Sequence, residues 1–542
     1  MIEVTGVGVF SGVAAGPLRF MAGAREAVRR VEVADSAAEL ARFANARSDA
    51  GAALDELHEK VLKSVGEKEA AIFDVHHMML DDPDFVESVE GIISSEHVCA
   101  EYAVSETAKN FAAMFEAMDD EYMRARAADV RDIASRLIAN MTGHAAGISF
   151  DEPVILAAKD LAPSETIQLD KSKILAFITQ EGSATSHTAI LARTMGIPAI
   201  VGAGDTLSRE YDGRRAILDG AAGKLYIDPD AATAAALEEK RAVHERESSA
   251  LDALKGKPSV TLDGRKVTVC ANLSNISELD IVLRSDAEGI GLFRSEFIYL
   301  GRDTFPTEDE QFEIYKRAAE AMAPRQVIIR TLDIGADKQA SYFGLPHEEN
   351  PAMGMRAIRI CLTRPEIFKT QLRAICRAAA FGNIAIMFPM IISPREVEEA
   401  LAILEQAKQS LRADGVEFKD NISVGIMVET PAAVMMSAEL AQMVDFFSVG
   451  TNDLTQYTLA ADRQNRDVER FCDRRSEAVL RMIKIASENA HAAGKWIGIC
   501  GEMGADTELT ERFLRMGIDE FSVSAGSVLK VRAKVRSIDL SR

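Results

Sequence analysis

After Lys257 the chain repeats one pattern eight times: a short apolar, β-type run followed by a longer stretch with helical spacing. The runs are KVTVCANL, GIGLFRSE, QVIIRTLD, IAIMFPMI, SVGIMVET, FFSVGTND, WIGICGE and DEFSVSAG. Near-continuous apolar runs alternating with helical patterns mark parallel strands covered by helices. Eight such units over about 285 residues predict a (β/α)8 barrel of the TIM type. Polar residues fall at the C-terminal ends of these runs: Arg294, Glu296, Arg330, Asp333, Glu429, Asn452, Asp453, Cys500 and Glu502. In such barrels that rim is the catalytic face.

Glu429 and Asp453 end separate apolar runs, where unpaired carboxylates would cost free energy. They either bond to barrel lysines or arginines or bind a cation. With oxygen ligands and no His or Cys set of zinc spacing nearby, the cation would be Mg2+ or Mn2+. Arg294, Arg330, Arg356 and Arg463 surround them in the sequence pattern, and guanidiniums suit bidentate capture of phosphate and carboxylate. Together these groups describe a small substrate with more than one negative charge. Cys500 lies among small residues, either as an inert core thiol or as a rim group whose pKa a neighbouring charge tunes.

The earlier part of the chain differs. Residues 2 to 20 alternate Val and Phe with small residues, reading as a first strand, and from about Asp35 to Met141 apolar residues recur at three and four spacing, as in Leu40, Phe43, Leu54, Leu57, Val61 and Val65. That predicts a bundle of roughly four helices. Between Pro153 and Asp228 short β runs return: Val154 to Ala157, Ile174 to Ile178, Ala199 to Val201 and Ala216 to Leu218. The expected organisation is an α/β domain from 1–20 plus 145–228, a helical domain inserted at 21–144, an Ala- and Glu-rich linker helix at 229–257, and the barrel at 258–542.

In GSATSHTAILARTMGIPAIVG, His187 sits at or within the first turn of a helix that Gly196, Ile197 and Pro198 stop. There it either completes a capping turn or faces the positive helix end, where an anion on its imidazole would be stabilised. The formal charge of −22 excludes general binding to nucleic acid or anionic membranes. The six cysteines form no CxxC pair, and the N-terminus carries no basic leader or long apolar span, so a cytoplasmic protein with reduced thiols is expected.

The barrel motif DFFSVGTNDLTQYTLAADR and the histidine turn occur in the order and spacing of one family. GVGVFSGVAAGPL, EKEAAIFDVHHMML, DEYMRARAADVRDI and DLAPSET are also similar to it. Essentially from residue 1 to 542 the chain resembles the enzyme I family of the bacterial phosphoenolpyruvate-dependent sugar phosphotransferase system. The resemblance implies a phosphohistidine α/β domain, an inserted helical domain that binds a small histidine phosphocarrier protein, and a phosphoenolpyruvate-binding barrel that also dimerises. It implies that His187 accepts the phosphoryl group, that Glu429 and Asp453 hold Mg2+, and that Arg294, Arg330, Arg356, Asn452, Asp453 and Arg463 bind the substrate. Cys500 matches the acid that protonates the enolate, and Thr166 matches a residue that orients the histidine ring. Met78 and Met79 with Asp82 would present an apolar patch beside negative charge to a basic carrier. The chain departs from the family's turn in having Ser183 where a second Gly is common and Ala184 at a frequently basic position.

Two other readings differ in what they require. A pyruvate phosphate dikinase or phosphoenolpyruvate synthase shares the turn and barrel but needs a nucleotide domain, and no Walker-type loop is present. A non-catalytic phosphoenolpyruvate sensor would have no need of the set His187, Glu429, Asp453 and Cys500. For transfer, His187 must meet the barrel and then leave it, which implies a large swing about residues 229 to 257.

Overall fold

A computed structural model describes the chain apart from residues 22–27, 65–72, 74–75, 118–120, 143–149, 162–168, 183–187, 190–191, 193–195, 336–340, 464 and 474. The chain divides into two compact units, Met1–Glu247 and Ser248–Arg542.

The first unit contains an eight-stranded sheet. Its strands are β1 (Ile2–Thr5), β2 (Val7–Phe10), β3 (Val13–Phe20), β4 (Val154–Ala158), β5 (Ile174–Thr179), β6 (Ala199–Val201), β7 (Arg215–Asp219) and β8 (Lys224–Ile227). Their order is β1-β8-β7-β3-β4-β5-β6-β2. The run from β3 to β6 is parallel and the flanking pairs are antiparallel. Residues 2 to 20, read as one strand, thus form three. Both sheet edges come from the first ten residues, joined only by Gly6. Since the Cα atoms of Thr5 and Val7 lie at most about 7 Å apart, the sheet must roll until its two edges meet. Glycines allow that approach: Gly6 N–H donates to Gly223 O at 2.9 Å, and a side chain at Gly8 would collide with the Gly220 carbonyl.

Between β3 and β4 lie helices Ser36–Ser64, Pro83–Glu96, Ala100–Glu116 and Glu121–Thr142. They enclose their own core, with Phe43, Leu54, Phe85, Val89, Ile93, Val104, Ile133 and Leu137 at its centre. Phe85, Val89 and Ile93 show the four-residue spacing that puts one stripe inward. A long helix, Ala231–Asp252, follows the sheet. Leu237 is buried on it, and Lys240 pairs with the buried Asp219 carboxylate at the end of β7.

The second unit is a closed parallel barrel. Its strands are β9 (Thr268–Leu273), β10 (Gly289–Arg294), β11 (Gln326–Arg330), β12 (Asn383–Phe388), β13 (Ser423–Val428), β14 (Phe446–Gly450), β15 (Trp496–Cys500) and β16 (Glu520–Val523). Strand alternation divides the apolar residues into two layers. Val327 and Ile329 join the layer between strands and helices, whereas Leu292, Ile328, Met387, Met427, Phe446 and Cys500 form an inner cluster. Trp496 packs on that cluster, its ring stacked 4.6 Å from Phe446. At the start of β16, Glu520 is buried, and its Oε1 has no hydrogen-bond partner among the described residues. Gly291 makes the room, since a Cβ there would stand 2.5 Å from Glu520 Oε1.

The C-terminal helix Val528–Ser537 carries the fully buried Arg532. Its guanidinium donates to Ser259 Oγ at 3.2 Å, Leu254 O at 3.3 Å and Asp286 O at 2.6 Å, and pairs with the Asp286 carboxylate. Asp286 also accepts from Gly256 N–H at 2.7 Å. The last helix thereby fastens the segment that leads into the barrel.

Candidate active site

Each barrel strand ends where the apolar run gives way to polar residues, so the rim collects charges from distant parts of the sequence. Arg330, the last residue of β11, donates through Nη2 to Glu296 Oε1 at 2.6 Å and pairs through Nη1 with Asp333 Oδ2 at 2.7 Å. Arg356, from the segment after β11, donates to Asp333 Oδ1 at 3.0 Å and to Asp453 Oδ1 at 3.3 Å. It also donates to the Tyr457 hydroxyl at 3.0 Å, which in turn donates to Ala352 O. Arg463 stands 3.8 Å from Asp453 Oδ2. Charges of alternating sign thus offset part of the desolvation cost of burial. Burial opposes the charge on Arg330, but Asp333, Glu296 and Glu429 outweigh it and raise its pKa.

The network is incomplete. The Nε–H groups of Arg330 and Arg356 are buried with no hydrogen-bond partner among the described residues. Glu429, wholly buried, accepts from Met390 N–H at 2.6 Å through Oε1, while its Oε2 has no partner among the described residues. Burial, reinforced by the Asp453 and Asp333 carboxylates, pushes the Glu429 carboxyl well above the usual range. A buried carboxylate oxygen and two guanidinium donors left unpaired together are costly unless a ligand completes them. Among the described residues no group of three or more His, Cys, Asp or Glu side chains forms a cage for a metal ion. Two carboxylates with one unused oxygen instead fit a hard cation that shares its remaining positions with substrate and water.

Cys500 ends β15 and is buried. Its thiol donates to Val449 O at 3.3 Å. Burial pushes its pKa up to about 11, against the lowering effect of Arg330 and Arg294, so it is a protonated thiol near neutral pH. Thr451 Oγ1 donates to the Cys500 carbonyl at 3.0 Å, and Gly501 follows at φ 94°, a sharp turn open to glycine. Asn452 Oδ1 accepts from Glu502 N–H at 3.4 Å, tying the β14 and β15 ends together. Arg294 closes β10 beside this group.

His187, Thr166, Ser183 and Ala184 lie outside the described residues. At the borders of their turns, Thr188 is buried and its Oγ1 donates to Asp160 Oδ1 at 3.4 Å, which also accepts from Leu161 N–H at 2.9 Å. In the helical part, Met78 is 66% exposed and Met79 is half-buried against the bundle core. Asp82 caps helix Pro83–Glu96 by accepting from Phe85 N–H at 3.1 Å. A cleft of about 590 Å³ beside Met78 is lined by Leu54, Asp55, His58, Phe73, His77 and Asp81. Tyr457, which Arg356 meets, lies inside the motif DFFSVGTNDLTQYTLAADR but was not singled out, and Gln371 carried no sequence signal beyond its helical spacing. Glu296 and Asp333 were visible at the rim, but not as partners of the arginines.

Three family models match the chain: PEP-utilising enzyme, PEP-binding domain over residues 248–540; PEP-utilising enzyme, N-terminal, over 5–126; and PEP-utilising enzyme, mobile domain, over 150–223. A phosphoenolpyruvate-protein phosphotransferase of Bacillus subtilis is 42% identical over 544 residues, covering 99% of this chain and 95% of the relative. One from Haemophilus influenzae is 45% identical, covering 93% of this chain and 88% of the relative. A solution structure of an Enzyme I protein is 34% identical over 45% of this chain and 99% of its own, with a TM-score of 0.38. Barrel, charged rim and domain matches define a PEP-utilising enzyme. The chain belongs to the phosphoenolpyruvate-protein phosphotransferase family.

Proposed function

We propose that this enzyme transfers the phosphoryl group of phosphoenolpyruvate to its own His187 and then to a histidine of a small phosphocarrier protein, releasing pyruvate, as the first step of phosphotransferase-system sugar uptake. The observation that carries the reading is the incomplete rim: the Nε–H groups of Arg330 and Arg356 and one oxygen of Glu429, all without a partner among the described residues. Arg294, Arg330, Arg356, Asn452 and Arg463 hold the carboxylate and phosphate of the substrate by charge-assisted hydrogen bonds. Glu429 and Asp453 would hold the divalent cation, Mg2+ or Mn2+, which when bound supplies charge neutralisation at the phosphoryl oxygens.

His187 offers a ring nitrogen for in-line attack on phosphorus: the N–P bond forms as the P–O bond to the enol breaks. The enolate takes the Cys500 proton at carbon, giving pyruvate, and the thiolate left near Arg294 and Arg330 recovers a proton from solvent. Because burial keeps the thiol protonated, it is ready as an acid at neutral pH.

The proposed parts are the phosphohistidine domain 1–20 plus 145–228, the carrier-binding domain 21–144, the linker helix 229–257 and the barrel 258–542. The carrier docks on Met78, Met79 and Asp82, Thr166 orients the histidine, and the barrel makes a homodimer in the cytoplasm. Among the described residues no helix is long and apolar enough to cross a membrane.

The test is incubation with Mg2+ and labelled phosphoenolpyruvate, mapping of the acid-labile phosphate, and addition of a purified histidine phosphocarrier. The expected result is one label per chain on His187, absent in His187→Ala and passed to the carrier. Label at another residue, or only with ATP, overturns the assignment.

A further inference from the structure

Gln371, on helix Pro365–Ala378, is fully buried although its helix otherwise turns apolar residues inward. Its amide has a partner for each function: Nε2 donates to Ser295 Oγ at 2.9 Å and to the Tyr315 hydroxyl at 3.1 Å, while Oε1 accepts from Leu332 N–H at 2.9 Å. Ser295 lies between Arg294 and Glu296, and Leu332 lies between Thr331 and Asp333. One side chain outside the strands therefore grips two rim turns at residues whose neighbours carry charges of the mouth.

We propose that Gln371 is a positioning residue for phosphoryl transfer: it sets the spacing of the turns that follow β10 and β11, and with it the placement of Glu296 and Asp333, the carboxylates that hold Arg330 and Arg356, without touching substrate. The proposal rests on the reading of this rim as the phosphoenolpyruvate site. The parallel ladder pairs β10 with β11 as far as Arg294 and Arg330, and beyond it the two turns are joined by the Arg330–Glu296 bond. That bond involves the groups that must also meet an anionic substrate, so the spacing needs a tie that the substrate does not disturb. The network runs on behind Gln371: the Tyr315 and Tyr299 hydroxyls donate to Gln311 Oε1 at 3.3 and 3.1 Å, and Gln311 Nε2 donates to Pro306 O at 3.2 Å. The amide is thus braced by helix Glu308–Met322 rather than left to rotate.

The test uses the full chain with Mg2+ and phosphoenolpyruvate, following stoichiometric pyruvate release and phosphohistidine formation against substrate concentration, alongside the thermal midpoint. Gln371→Met keeps the shape and removes all three bonds. It is expected to raise half-saturating phosphoenolpyruvate about tenfold with less than about a threefold change in limiting rate, the pattern of weakened substrate placement. Gln371→Glu, which still accepts from Leu332 N–H and from the Ser295 hydroxyl but loses the bond it donates to Tyr315, should recover part of that loss. Ile375→Val on the same helix should lower the midpoint and leave both kinetic parameters unchanged. A Gln371→Met enzyme that loses stability as Ile375→Val does, with wild-type kinetics, overturns the proposal. If Gln371→Met does not fold, Ser295→Ala removes the β10 arm alone: a raised half-saturation supports the proposal and an unchanged one overturns it. A wild-type chain that takes no label from phosphoenolpyruvate refutes the function instead, and is distinguished by that control.

Discussion

Replacing Glu520 by Gln should make the barrel's stability less dependent on pH. Burial, with the neighbouring Asp519 charge adding to it against a hydrogen bond with Cys270, pushes this carboxyl from the ordinary 4.5 up to about 7. The fold therefore favours the neutral acid. Below pH 4.5 folded and unfolded chains both keep the proton, and no pH-dependent penalty arises. From 4.5 to about 7 the unfolded chain releases it while the fold retains it, so stability falls as pH rises, and above 7 the penalty is complete. At about 1.4 kcal/mol per pKa unit the full penalty is about 3 kcal/mol. Glutamine has no proton to lose, so the stability difference between Glu520→Gln and wild type should grow by about that amount between pH 4.5 and pH 8. The assay is urea unfolding followed by the fluorescence of Trp496, the chain's one tryptophan, which is stacked within the barrel. Parallel stability profiles for the two proteins across this range would refute the reasoning.

Cys500→Ala should slow pyruvate formation by about 10²- to 10⁴-fold, as expected for loss of a general acid. Because the thiol titrates only near 11, a pH–rate limb between 8 and 9 that disappears in Cys500→Ser would contradict its assigned protonation state. Glu429→Gln should abolish labelling from phosphoenolpyruvate yet leave the urea midpoint in substrate-free protein unchanged or raised, since a neutral amide replaces a carboxyl that burial already disfavours as an anion. Arg532→Met should cost the barrel about 3–5 kcal/mol in urea unfolding, because it strands the partly buried Asp286 carboxylate and the Leu254 carbonyl.

The barrel was legible because its strands are covered on both faces, which turns each into a continuous apolar run whose end is marked by the first polar residue. The rim followed from the same rule, so Arg294, Arg330, Glu429, Asp453 and Cys500 could be located before any contact was known. The sheet of the first unit was harder. Gly6 and Gly12 divide residues 2 to 20 into three short strands, and which strand pairs with which depends on segments some two hundred residues away. Strand β8 was missed, although the turn between Asp219 and Lys224 separates it from β7 as a hairpin would. Gln371 and Glu520 were invisible for a different reason. A buried polar residue on an apolar element reads as an ordinary interruption, and only its neighbours in space show what it meets.

The rolled sheet of the first unit makes the opening decapeptide a double seam. Deleting residues 1–10 would strip β8 and β6 of their outer neighbours in one step, leaving two bare rows of amides and carbonyls where the intact protein has β1 and β2. Such a truncation should recruit strands from other molecules and precipitate, whereas an extension placed ahead of Ile2 that leaves those ten residues in register should remain soluble.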